Sequence, residues 1–156
     1  MKPSIYSFEP MAEGFFVDPA FSDALRKAGL TTQDEVFSYT DVQPINPGPL
    51  PPHRSRVCFQ LPGDGPTVYL KRYNYPPKVG QIVNWISHRR RAATADYDWL
   101  ASEELDRAGV WTAQIIAYGA QWHRGFEKRS FVLIREITEA KPLEEELPLC
   151  FRKSNV

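Results

Sequence analysis

The sequence lacks the features that would place it among membrane-spanning or nucleic-acid-binding proteins. No apolar run approaches the roughly 20 residues that cross a bilayer. Residues 1–10 show no basic segment followed by an apolar one, so no secretory signal is expected. Nineteen basic residues balance 19 acidic ones, which leaves no net field to attract nucleic acid or an anionic surface. We therefore expect a cytoplasmic protein without a nucleic-acid partner and with at most peripheral contact at the inner face of the membrane.

Cysteine and histidine are scarce and widely spaced. Cys58 and Cys150 form no CxxC pattern, and the three histidines lie far apart. This spacing argues against a disulfide framework and against a metal site built from histidine and cysteine. What is present is typical of one soluble domain, with 42% hydrophobic residues and 14 prolines that cluster in loops.

Local signals predict two elements near the N-terminus and one strand after them. Residues 1–17 carry aromatics without clear periodicity and are expected to pack as an arm. Asp18 followed by Pro19 favours a helix start, and the helix is expected to end at Gly29. Thr32 and Glu35 have the spacing of a capping box for a further helix of a turn or two. Residues 36–42 alternate loosely and predict a first strand.

Two β-hairpins and a long helical region follow. Residues 56–61 and 67–73 flank a Pro-Gly-Asp-Gly-Pro turn, and residues 110–121 and 130–137 flank a second turn at 122–125. Residues 81–107 predict a helix in one or two pieces, ended by Gly109. The predicted fold class is α+β: an antiparallel sheet of about five strands, one long packed helix and an extra N-terminal helix.

Lys71 interrupts the apolar strand Val68-Tyr69-Leu70-Lys71. On its own, this residue is explained equally well as a solvent-exposed strand lysine. However, a hairpin that carries a lysine on its second strand and precedes a long helix has the element order of a protein-kinase-like N-terminal lobe (N-lobe). In that lobe the lysine binds nucleotide phosphates and an acid of the helix holds it.

Several short motifs in the right order resemble the lipopolysaccharide kinase (Kdo/WaaP) family across residues 34–147. They are the strand Tyr69-Leu70-Lys71-Arg72-Tyr73, the run Arg89-Arg90-Arg91-Ala92, the pair Asp98-Trp99, the segments 105–110 and 115–119, the strand 130–137, and Lys141-Pro142-Leu143-Glu144. The resemblance implies a kinase-like N-lobe that binds ATP with magnesium.

The resemblance also implies which residues contact the nucleotide. Lys71 corresponds to the phosphate-binding lysine. Its partner falls on Asp98 by spacing to Gly109, or on Asp96 if the helix carries a two-residue insertion. The remaining expected contacts are Gly48, the single glycine of the phosphate-covering loop 46–52, and the hinge residues Glu136 and Ile137.

The chain departs from the family pattern in its loop and in its length. The loop at 46–52 lacks GxGxxG, and only 19 residues follow Ile137, so the catalytic and magnesium-binding aspartates of the family's C-terminal lobe have no counterpart here. We expect an arm and helix at 1–33, the N-lobe at 34–147 and a tail at 148–156, with no catalytic residue in the chain.

Two functions are compatible with this pattern. The first is the nucleotide-binding lobe of a lipopolysaccharide-core-type sugar kinase that is not catalytically competent alone. The alternative is a non-catalytic kinase-like module that binds another protein. Either a homodimer or a partner that supplies the missing lobe is expected to cover Ile137, Leu143, Leu147 and Leu149.

Overall fold

A computed structural model describes residues 6–45 and 49–138. These residues form one seven-stranded antiparallel sheet with the strand order β1-β2-β6-β7-β5-β4-β3, and helices pack against it. The strands are β1 (Glu9–Ala12), β2 (Phe15–Val17), β3 (Gln43–Pro44), β4 (Arg54–Gln60), β5 (Thr67–Asn74), β6 (Ile115–His123) and β7 (Phe126–Arg135). The helices are α1 (Ser22–Lys27), preceded by a 3-10 turn at Pro19–Phe21, α2 (Gln33–Ser38), α3 (Lys78–Ser87) and α4 (Thr94–Arg107).

Both predicted hairpins are confirmed. Strands β4 and β5 pair in register from Arg54 with Tyr73 to Gln60 with Thr67. Strands β6 and β7 pair across a two-residue turn in which Arg124 and Gly125 both have positive φ. Such a turn matches the right-handed twist of the strands that it joins.

Alternation along β5 assigns its side chains to two faces of the sheet. Val68 and Leu70 enter the main core, which lies between the sheet and helices α1 and α2. Tyr73 packs on the other face with Ala95 of helix α4, in a second cluster. Lys71 therefore shares a face with α4, because residues two apart in a strand point the same way.

The sheet has seven strands, so the predicted number of about five is wrong. Residues 9–17, expected to be an irregular arm, form the β1–β2 hairpin, and β2 extends the sheet by pairing with β6. At the opposite edge, β3 adds two residues beside β4. Neither addition could be found from local pattern, because strands of two to four residues carry almost no periodic signal.

The strand predicted at 36–42 is also wrong. Its first residues belong to α2, because Thr32 and Glu35 form the capping box that the sequence indicated. The Thr32 hydroxyl accepts from the Glu35 amide at 3.2 Å, and the Glu35 carboxylate accepts from the Thr32 amide at 2.9 Å. The box fixes the first turn and lets the helix continue through Ser38.

The helical region is divided into two helices. Helix α3 ends at Ser87, and Arg89 then takes a left-handed conformation with φ of 48°. A non-glycine residue with positive φ cannot continue an α-helix, so α4 begins anew at Thr94. The loop residue Gly48, the motif at 141–144 and the leucines expected to be covered, Leu143, Leu147 and Leu149, lie outside the described residues. Among the helices described, none is long and apolar enough to cross a membrane.

Candidate functional site

Lys71 and Asp98 meet on the α4 face of the sheet. The Lys71 Nζ lies 3.2 Å from Asp98 Oδ2, and the two side chains are 27% and 31% exposed. The same Asp98 oxygen accepts a hydrogen bond from the Tyr73 hydroxyl at 3.2 Å. Arg54 covers the Tyr73 ring with its guanidinium 5.2 Å from the ring centre. Of the two partners that the sequence left open, Asp98 and Asp96, it is Asp98 that forms the salt bridge with Lys71.

Asp96 lies in the first turn of α4, the helix that also carries Asp98. Its carboxylate accepts from the Ala93 amide at 2.9 Å and from the Trp99 indole nitrogen at 3.1 Å. Burial raises the pKa of Asp96, and the hydrogen bond from the Ala93 amide opposes that rise. Asp96 therefore stabilises the first turn of α4, while Asp98, two residues on, points toward β5.

Glu127 anchors the start of α4 to the sheet, and sequence reasoning missed it. Its side chain is 4% exposed and accepts from both the amide and the hydroxyl of Thr94, each at 2.7 Å. The Ser130 hydroxyl donates to it at 2.5 Å. Burial raises the pKa of the Glu127 carboxyl. This network holds the helix that carries Asp98 in a fixed position on the sheet.

Arg56 is a second cation beside Lys71. It pairs with Lys71 in the β4–β5 register, so the two side chains are neighbours on one face. The Arg56 Nε is buried and has no hydrogen-bond acceptor among the described residues. Both residues line a depression of about 190 Å³, together with Ile45, Val57, Tyr69 and Leu70. A buried donor without an acceptor is costly, and the Arg56 and Lys71 side chains give this depression a positive lining.

The predicted hinge residues lie at the end of β7. The Glu136 amide donates to the Thr67 carbonyl at 2.9 Å, and its carboxylate accepts from the Tyr69 hydroxyl at 2.9 Å. Ile137 lines a depression of about 310 Å³ that also includes Trp111, Gln114 and Thr138. Tyr69 and Lys71 are two residues apart in β5 and share a face of the sheet. Glu136 is thus linked to the Lys71 side of the sheet through its hydrogen bond with Tyr69.

Two other features bear on the site. A depression of about 620 Å³ lies between the β1–β2 hairpin and α2. Its cation Arg129 forms a salt bridge with Asp34. No group of three or more metal-binding side chains occurs in the part of the chain that the structure describes. Around Lys71 the described residues thus bring together the cation Arg56 and the carboxylate of Asp98.

No family model matches this chain, and no curated protein matches its sequence. Among solved structures, a chain from WaaP in complex with acyl carrier protein is similar, with a TM-score of 0.57 and 17% sequence identity. The match covers 91% of this chain and 48% of the solved one, so this chain spans about half the length of that structure. The likeness is one of fold. The α+β fold of this chain thus has a structural counterpart in WaaP, whose name also stands in that of the family that the sequence resembles.

Proposed function

We propose that this chain is the ATP-binding lobe of a lipopolysaccharide-core-type sugar kinase. The observation that carries the proposal is the Lys71–Asp98 salt bridge, formed between the second strand of a hairpin and the helix that follows it. In kinases, a strand lysine held by a helix acid positions the nucleotide phosphates. The sugar class rests on the sequence resemblance to the lipopolysaccharide kinase family and on the fold shared with WaaP.

The charges around Lys71 suit a phosphate group. Lys71 and Arg56 stand side by side on neighbouring strands, and Asp98 is the acid that contacts Lys71. Guanidinium and ammonium groups that are held in place before the ligand arrives stabilise phosphate charge without reorganisation. Both side chains line the same depression of about 190 Å³. We assign the phosphates of ATP to these two side chains.

Asp98 orients Lys71, because its carboxylate reaches the Lys71 ammonium at 3.2 Å. The Tyr73 hydroxyl, bonded to the same oxygen, fixes the carboxylate from the side of the strand. Because α4 is tied to β7 through Glu127 and Thr94, the position of Asp98 depends on a rigid support rather than on a loop.

We expect the adenine to bind near the C-terminal end of β7. Ile45 begins the loop that joins β3 to β4, and it lines the depression beside Lys71. At the other side, Tyr69 connects this depression to Glu136. The Glu136 amide already bonds to Thr67, so we assign adenine recognition to the backbone that follows it, at Ile137.

Phosphoryl transfer requires more than this lobe. It depends on metal ions held by carboxylates and on a carboxylate that orients the attacking hydroxyl. The described residues contain no group of three or more side chains that could hold the metal. We propose that a second lobe supplies these groups, together with magnesium, and that a partner chain or a second copy covers the cleft side near Ile137.

Calorimetric titration of the protein with ATP and magnesium tests the proposal. We expect weak binding, and Lys71→Ala should lower the affinity about 10-fold or more, since charge-assisted contacts to phosphate contribute about 1.5–3 kcal/mol. Arg56→Gln should weaken binding as well. The matched control is Lys27→Ala, which removes an exposed lysine from the last turn of α1.

An unchanged affinity in Lys71→Ala would mean that Lys71 is only a surface lysine. Absence of any ATP binding by the parent protein would instead favour the protein-interaction module, which needs no nucleotide.

A further inference from the structure

Helix α3 presents its apolar side to solvent. Val79, Ile82, Val83 and Ile86 recur at intervals of three and four residues, which places them on one stripe. They are 74%, 42%, 54% and 71% exposed. The side of α3 that faces the protein instead carries Gln81, whose amide donates to the carbonyls of Pro76 and Glu127 at 2.9 and 3.1 Å. The orientation is the reverse of an ordinary surface helix, in which the apolar stripe faces the core.

The chain around this stripe is basic. Residues 74–95 contain Lys78, Arg89, Arg90 and Arg91 and no acidic residue. No carboxylate of the described residues forms a salt bridge with any of these four. All four are exposed; Arg91 also lies over the Trp85 and Trp122 rings, and Lys78 over the Phe126 ring. Although the whole chain is neutral, this face carries a local positive charge.

A cationic depression lies beside the first turn of α3. It measures about 490 Å³, and its lining includes Lys78, Arg124 and Lys128 around the rings of Tyr75 and Phe126. Glu127, the acid of this lining, is buried and bonded to Thr94 and Ser130. Three cations with adjoining aromatic rings suit an anionic headgroup whose acyl chains lie next to it.

We propose that α3 and its basic flanks bind the surface of a bilayer that contains anionic phospholipids. An apolar stripe with cations beside it is typical of helices that lie in the membrane interface. Ten residues of helix are about 15 Å long. A stable protein interface needs about 800 Å² on each partner, or 20–30 residues, which is more than this stripe offers. A bilayer needs no shape complementarity, and it binds both the stripe and the cations.

Vesicle sedimentation with the full chain tests this surface. The protein should bind vesicles of phosphatidylcholine and phosphatidylglycerol, bind pure phosphatidylcholine much less, and be released by salt. Arg89→Gln with Arg90→Gln should lower the partition coefficient about 30-fold, since each basic residue near an anionic surface contributes about fivefold. Val79→Ser with Ile86→Ser should lower it about 10-fold or more through lost apolar burial.

Two controls match these variants in chemistry. Arg26→Gln with Lys27→Gln removes two exposed cations from α1, and Val110→Ser removes an exposed aliphatic side chain elsewhere; both should bind as the parent does. All substituted residues are exposed, so circular dichroism should show unchanged folding.

Several results would overturn the proposal. These are equal binding to both vesicle types, equal loss in the controls, or a dimer that Val79→Ser with Ile86→Ser dissociates in light scattering. The last result would assign the stripe to a second copy of the chain. Because the probe is lipid rather than ATP, failure here is distinguishable from failure of the nucleotide proposal.

Discussion

Replacing Asp98 by alanine should release Lys71 from helix α4 at a measurable cost in stability. The Asp98 Oδ2 accepts from Lys71 Nζ and from the Tyr73 hydroxyl, both at 3.2 Å. Because the two charged side chains are about a third exposed, their salt bridge should contribute about 0.5–1 kcal/mol. Tyr73 is only 4% exposed, and the loss of its acceptor should cost about 1 kcal/mol. The free energy of unfolding should therefore fall by about 1–2 kcal/mol.

A double-mutant cycle measured by urea denaturation separates the salt bridge from the other contacts. Asp98→Ala, Lys71→Ala and the double variant should give a coupling energy of about 0.5–1 kcal/mol. Lys27→Ala combined with Asp98→Ala is the control, and it should show no coupling. A coupling energy indistinguishable from zero in the Lys71 cycle would refute the salt bridge in solution, and with it the argument that Asp98 orients the phosphate-binding lysine.

Three further substitutions test the support of the site. Burial raises the pKa of Glu127 above 4.5, so the folded state holds the Glu127 proton more tightly than the unfolded state does. The free energy of unfolding of the parent, relative to that of Glu127→Gln, should therefore fall as pH rises from 4.5. A difference in urea denaturation that does not change with pH would contradict this. Gly119→Ala should cost about 1–3 kcal/mol, because a Cβ would lie 2.5 Å from the Phe131 ring; an unchanged melting temperature would contradict that packing. Asp96→Ala should cost about 1 kcal/mol without changing the Lys71 coupling, and a lost coupling would mean that Asp96 contacts Lys71.

Local chemistry explains which elements the sequence could predict. The Thr32–Glu35 capping box and the two hairpin turns depend on residues within a few positions of one another. By contrast, β2 exists because Phe15 pairs with Gly119, about a hundred residues along the chain. Three-residue strands that depend on such pairing have too little pattern of their own to be found.

The sequence could predict those residues of the site that depend on the order of strands and helices. It could not predict those that depend on how two strands pair. Lys71 is indicated by the succession of hairpin, lysine and helix, and the family resemblance places its partner on Asp98 or, with an insertion, on Asp96. Arg56 becomes relevant only when the β4–β5 register sets it opposite Lys71. Glu127 offered a signal, a carboxylate near the start of an apolar strand, but its partner Thr94 lies on another element.

The most direct test of the nucleotide site is an amide chemical-shift titration of the ¹⁵N-labelled protein with ATP and magnesium. This measurement reports where a weak ligand binds as well as whether it binds. We predict that the amides which shift most are those of Ile45, Arg56, Lys71 and Ile137, and that these shifts are much smaller in Lys71→Ala. Shifts confined to the depression between the β1–β2 hairpin and α2, or no shifts at ATP concentrations well above cellular levels, would contradict the assignment of this lobe to nucleotide binding.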